Sequence, residues 1–293
     1  MRKILLAGAF SLALGCSLHA QVTVEVRLDQ DQFLQGETLP VAVRIVNRSG
    51  QTLHLGEDAD WLTFSIESKD QFIVSKNGEA PVTGAFDLES SKFATKRVDL
   101  APYFNLNKSG HYEISATVRI KNWDAQMSSP GKGFDLIEGT RLWEQAFGVP
   151  TAGTNATQAP EIRKYILQQA NYLRSQIRLY VRLTDESESR VIRVLPIGPA
   201  VSLNRPEPQV DRQSNLHLLN QNGARTFNYT VVNPDGNVLA HQTYEYLNSR
   251  PRLKLDADGK IIVFGGVRRP MLDDVPAPKI STEEPRPPQT SQP

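Results

Sequence analysis

Hydrophobic and polar residues alternate from Val22 onward: Val22, Val24, Val26 and Leu28 fall on one side, Thr23, Glu25 and Arg27 on the other. A period of two is the signature of a half-buried strand. After the polar stretch 29–38, Pro40 introduces a second alternating run, Val41, Val43 and Ile45, which ends at the turn-forming Asn47-Arg48-Ser49-Gly50. Shorter apolar runs follow at 53–55, 62–66 and 72–74. Lys108-Ser109-Gly110 then leads into the longest alternation of this half, with Tyr112, Ile114, Ala116, Val118 and Ile120 inward. Short strands separated by turns, with no helical period among them, predict an antiparallel sandwich.

The succession of a strand, Gln35-Gly36-Glu37, a second strand and Asn47-Arg48-Ser49-Gly50, followed later by Ser109-Gly110-His111-Tyr112 and renewed alternation, resembles the immunoglobulin-like sandwiches of exported bacterial proteins. The resemblance covers residues 22–140 and implies a closing strand at Phe134-Asp135-Leu136-Ile137. It consists of turn chemistry and alternation, so it implies a fold and transfers no functional residue. The two core cysteines of antibody-type domains are lacking.

Residues 150–160 (PTAGTNATQAP) are small and polar, the composition of a linker. Beyond them Ile162, Ile166, Ala170 and Leu173 recur at helical spacing, with Thr157 placed as a cap and Pro160 and Glu161 in the first turn. This pattern predicts one helix whose apolar stripe packs on a sheet. Ile177, Leu179, Val181 and Leu183 begin that sheet, Asp185-Glu186-Ser187 turns it, and 191–195 returns. Residues 196–214 read as an extended crossing. Asn222-Gly223, between apolar runs, is a strong hairpin signal; Asn233-Pro234-Asp235-Gly236 and Asp256-Ala257-Asp258-Gly259 mark two further turns of a meander. From Met271 the chain holds six prolines and few core formers, and reads as disordered.

The predicted organisation is therefore mostly β. It comprises a leader over 1–20, an immunoglobulin-like sandwich over 21–149, a linker over 150–160, a second antiparallel β domain with one N-terminal helix over 161–270, and a proline-rich acidic tail over 271–293. The leader follows from Arg2 and Lys3, the apolar run from Ile4 to Leu14, and Ser17-Leu18-His19-Ala20 as a cleavage site before Gln21. The run is too short to span a bilayer. An alternative places lipidation at Cys16, after Ala13-Leu14-Gly15, which would anchor the protein to a membrane. Either way the chain is exported, to the periplasm, the outer membrane or beyond.

Composition narrows the chemistry further. The 293 residues carry 33 basic and 32 acidic side chains, and loss of Arg2 and Lys3 takes the formal net charge from +1 to −1. A near-neutral chain offers no electrostatic basis for nucleic-acid binding. Cys16 is the single cysteine, so disulfides, thiolate metal sites and cysteine nucleophiles are excluded from the mature part. No cofactor-binding or catalytic motif occurs. Outside the leader there are four histidines, His54, His111, His217 and His241, without metal-ligand spacing; they read as surface or strand-edge residues. The acidic group Glu57, Asp58 and Asp60 reads as a solvated loop. Trp61, Trp123 and Trp143 are candidate stacking platforms for a glycan, or core residues. Residues 249–270 set six cations against Asp256 and Asp258, which makes Arg250, Arg252, Arg268 and Arg269 candidates for an anionic partner: a wall polymer, a membrane headgroup or the chain's own acidic tail. The reading is a non-catalytic exported protein that binds a protein or glycan of the cell envelope. The alternatives are a carbohydrate-binding module, a hydrolase with carboxylates from distant loops, and a proteinase-inhibitor-like sandwich.

Overall fold

The computed structural model describes residues 22–149, 161–173, 175–202 and 204–276; Cys16 and the 150–160 stretch lie outside them. The chain is mostly β and its sheets are largely antiparallel. Among the described residues the helical turns are two short 3-10 turns, Ala101–Tyr103 and Lys121–Trp123. No helix is long and apolar enough to cross a membrane. The chain divides into two units. One runs to Asp31 and includes Leu39–Leu106 and Gly110–Asp135; the other takes Gln32–Thr38, Asn107–Ser109 and everything from Leu136. Residues 136–148, ahead of the 150–160 stretch, thus belong to the second unit.

The first half of the chain forms β1 (Val22–Leu28), β2 (Gln32–Leu34), β3 (Pro40–Asn47), β4 (Leu53–Leu55), β5 (Leu62–Ser68), β6 (Phe86–Leu88), β7 (Phe93–Asp99), β8 (Gly110–Ile120), β9 (Ala125–Ser128) and β10 (Lys132–Ile137). In the first unit β1, β3 and β7 make one sheet, β10, β8 and β5 follow one another in a second with β9 beside β8, and β4 pairs with β6. The alternation translates directly into burial: Val22, Val24 and Val26 are buried while Thr23 and Glu25 are exposed. Ile114, Ala116 and Val118 are fully enclosed in β8. The apolar run 72–74 forms no strand; Ile73 is 96% exposed. Asn47, buried, donates to the carbonyls of Gln51 and Leu88 at 2.7 and 2.8 Å and accepts from the Ser49 amide, so the turn read from the sequence is fixed by one side chain.

The second unit contains β11 (Thr140–Gly148), β12 (Ile162–Tyr172), β13 (Gln176–Asp185), β14 (Val191–Ala200), β15 (Glu207–Val210), β16 (Leu216–Gln221), β17 (Thr226–Val232), β18 (Val238–Glu245), β19 (Arg252–Leu255), β20 (Ile261–Phe264) and β21 (Val267–Arg269). Strands β11 to β14 form a four-stranded antiparallel meander; β15, β16, β17, β18 and β21 form a second sheet; β19 and β20 form a separate two-stranded one. The hairpins at Asn222-Gly223, Asn233 to Gly236 and Asp256 to Gly259 fall where the turn signals predict them. The crossing over 196–214 is partly strand, through the end of β14 and β15. The β19–β20 hairpin does not extend the meander.

The predicted helix over 161–173 is instead β12, paired on both sides: Tyr165 faces Gln145 of β11 and Leu183 of β13. The supposed stripe ends in solvent, with Ile162 41% and Leu173 52% exposed, whereas Tyr165, Ile166 and Leu167 are consecutively buried. A helix would bury one stripe and leave Leu167 outside. The strand buries both faces because each meets a partner, and two-sided burial erases the period-two pattern. One face, with Tyr165 and Leu167, joins Phe147, Leu179, Val181, Leu183, Ile197, Leu216, Leu218 and Val232 in a common core. On the other face Ala170, Tyr180 and Val194 pack with Leu34. The 32–38 segment turns at Gly36, where φ is +81° and an added Cβ would stand 3.1 Å from the Arg182 guanidinium. Arg182 donates to the Gln35 carbonyl at 2.6 Å.

The two patterns make opposite predictions for truncation. Leu167→Ala is expected to cost about 2–5 kcal/mol and Ile162→Ala less than about 0.5 kcal/mol in urea denaturation. A helix packed through Ile162 would reverse that order.

Candidate functional site

In the second unit a concavity of about 420 Å³ opens between the 211–213 loop and the 258–261 turn, lined by Asp211, Arg212, His217, Asp258, Lys260 and Ile261 among others. It contains the most enclosed imidazole among the described residues. Alternation along β16 puts Leu216 and Leu218 into the inter-sheet core and turns His217 and Leu219 to the opposite face. There His217 lies beside Tyr229 of β17, with ring centroids 5.9 Å apart. The expectation of four surface or strand-edge histidines fails here, for His217 is 8% exposed.

Both ring nitrogens of His217 are engaged. Nε2 lies 3.0 Å from Oδ2 of Asp211, and Nδ1 lies 2.7 Å from the Tyr229 hydroxyl. Asp211 also accepts the Gln213 amide at 2.9 Å, the Asn215 amide at 2.8 Å and Asn215 Nδ2 at 2.9 Å. Burial by itself raises the Asp211 carboxyl, but the bonds from Asn215 and His217 outweigh it and hold the group below its ordinary value. Burial pushes the Tyr229 hydroxyl up to about 12, so it stays protonated. An ionised Asp211 requires a proton on Nε2, which leaves Nδ1 to accept the tyrosine proton. The chain of donors runs Tyr229 to His217 to Asp211. Its far end is pinned by the core, because the Tyr165 hydroxyl donates to the Ser214 carbonyl at 3.1 Å.

The hydroxyl that faces His217 is the buried phenol of Tyr229, held protonated by burial, and the arrangement fastens the 211–215 loop to the sheet. Sequence reasoning missed it because Asp211 and His217 meet across a loop of non-helical geometry. The available signal was Asp211 followed by Ser214-Asn215, the composition of a side-chain-organised turn.

The other candidates are dispersed. Trp61 is 2% exposed, donates Nε1–H to the Val82 carbonyl at 2.6 Å and meets Phe86 edge-on; it presents no face for stacking. Trp123 ends the Lys121–Trp123 turn, half-buried. Trp143, half-buried in β11, packs on the core of the second unit. Asp58 and Asp60 pair with Lys121 and Arg119 at 3.2 and 2.6 Å.

The four arginines of the basic stretch all have partners. Arg252 lies 3.5 Å from Glu207, Arg268 2.7 Å from Asp274, and Arg269 2.7 Å from Glu245. Arg250 donates to Asn204 and covers the Phe227 ring. Asp274 is buried and the Val275 and His241 backbones exchange bonds at 2.9 and 3.0 Å, so residues 271–275 are ordered against β18 and β21. Arg268 thus pairs with a carboxylate of the chain's own acidic tail. The remainder of the tail lies outside the described residues.

No family model matches the chain, and no curated protein matches it. Among solved structures the chain is similar to the crystal structure of Spo0M, sporulation control protein, from Bacillus subtilis. That similarity covers 58% of this chain and 82% of that one at 8% sequence identity, with a TM-score of 0.27.

Tyr229→Phe leaves buried Nδ1 without its donor and is expected to cost about 1–3 kcal/mol in urea denaturation. Because the Asp211 carboxyl is held below its unfolded value, its contribution is present above about pH 4 and fades as pH falls through the folded value. Asp211→Asn is expected to show lower stability at neutral pH and a shallower decline below pH ~4; an unchanged acid limb contradicts the assignment.

Proposed function

We propose that the chain is an exported, non-catalytic binding or structural protein of the cell envelope, with an immunoglobulin-like sandwich as its N-terminal unit. The observation that carries the non-catalytic reading is the partner of His217: the hydroxyl at its Nδ1 is the Tyr229 phenol, which burial holds protonated, and the carboxylate at its Nε2 is the one that organises the 211–215 loop. Arg250, Arg268 and Arg269 are likewise committed to partners of their own chain. Buried alternate rows in β1, β3 and β8 support the sandwich, and the Met1–Ala20 pattern supports export.

Cell fractionation with intact-mass analysis tests the proposal. The chain is expected in the envelope or external fraction, beginning at Gln21 or at an acylated Cys16. Recovery of an unprocessed chain in the cytosol overturns it.

A further inference from the structure

We infer that the outer face of the β19–β20 hairpin docks the protein on an anionic lipid surface; the inference rests on the envelope reading above and names the partner of that face. The hairpin is amphipathic by register. Leu253 and Ile261 are buried in a core with Leu219, Phe227, Tyr229 and Val231. Arg252 opposes Phe264 and Lys254 opposes Ile262, which puts these four side chains together on the other face.

That outer face sets apolar and basic side chains side by side. Phe264 is 54% and Ile262 40% exposed. Lys254 holds its ammonium over the Phe264 ring, 4.0 Å from its centroid, and no carboxylate among the described residues pairs with it. Arg252 reaches Glu207 only at 3.5 Å and keeps 62% of its side chain exposed. The nearby Asp256 carboxylate is tied to the turn by the amides of Asp258 and Lys260 at 3.0 and 2.8 Å.

The partner follows from the mixture. Aromatic and aliphatic side chains gain by entering the headgroup boundary, while lysine and arginine on the same face extend to phosphates. A hydrated wall polyanion would use the cations and gain nothing from Ile262 or Phe264. A bilayer surface uses both.

The test is co-sedimentation with phosphatidylcholine vesicles, with and without phosphatidylglycerol. The protein carries Cys16→Ser and its N-terminus is verified by mass, so that neither an acyl group nor an uncleaved leader contributes. Binding is expected only with phosphatidylglycerol and falls as salt is raised. Lys254→Glu and Phe264→Ser each weaken it about tenfold, with melting temperature unchanged because both side chains are exposed. Lack of wild-type binding, equal binding to both vesicles, or variants that bind as tightly as the wild type overturn the inference. So does binding to soluble polyphosphate that responds to Lys254→Glu but not to Phe264→Ser. If the vesicles fail while the protein still fractionates with the envelope, the docking inference falls and the proposed function stands.

Discussion

The second unit depends on one apolar layer, in which Tyr165, Leu167, Leu179, Val181 and Leu183 of the four-stranded sheet meet Leu216, Leu218 and Val232 of the five-stranded sheet. Each such side chain contributes about 1.5–3 kcal/mol on burial. An exposed ion pair contributes about 0–1 kcal/mol. The surface pairs of Arg141 and Lys164 with Glu188 therefore decorate this layer without replacing it. With Cys16 the single cysteine, no disulfide shares the task.

The layer also explains where the polar chemistry goes. Tyr165 stacks on Phe147 with centroids 4.2 Å apart, and its hydroxyl reaches the Ser214 carbonyl at the edge of the same core. That contact orders the loop from which Asp211 reaches His217. On the far face of the meander the 32–38 segment plays the equivalent part, giving half-buried Arg182 a carbonyl and seating Leu34 against Ala170, Tyr180 and Val194. Residues remote in sequence are used to close each face.

Strands buried on one face were legible because alternation records one-sided burial; β1 and β8 follow it residue by residue, and β3 departs from it at buried Ala42. Hairpins were legible through turn chemistry at Asn222-Gly223 and Asp256 to Gly259. β12 was not, since Tyr165, Ile166 and Leu167 are buried together and the remaining apolar positions happen to fit a helical spacing. Only the pairing with β11 and β13 decides between the two, and pairing is non-local. Of the site, the basic stretch was visible as charge, but its neutralisation by Glu207, Glu245 and Asp274 depends on tertiary placement. The exposed face of Phe264 and Ile262 was hidden for the same reason: a short apolar strand reads alike whichever residues face solvent.

Residue-resolved amide hydrogen exchange tests the dependence on the inter-sheet layer most directly. Amides across β12, β13, β16 and β17 are expected to exchange last and together, through global unfolding, with those of β19 and β20 released earlier. Exchange of the β12 amides as fast as those of the β19–β20 hairpin would contradict the account.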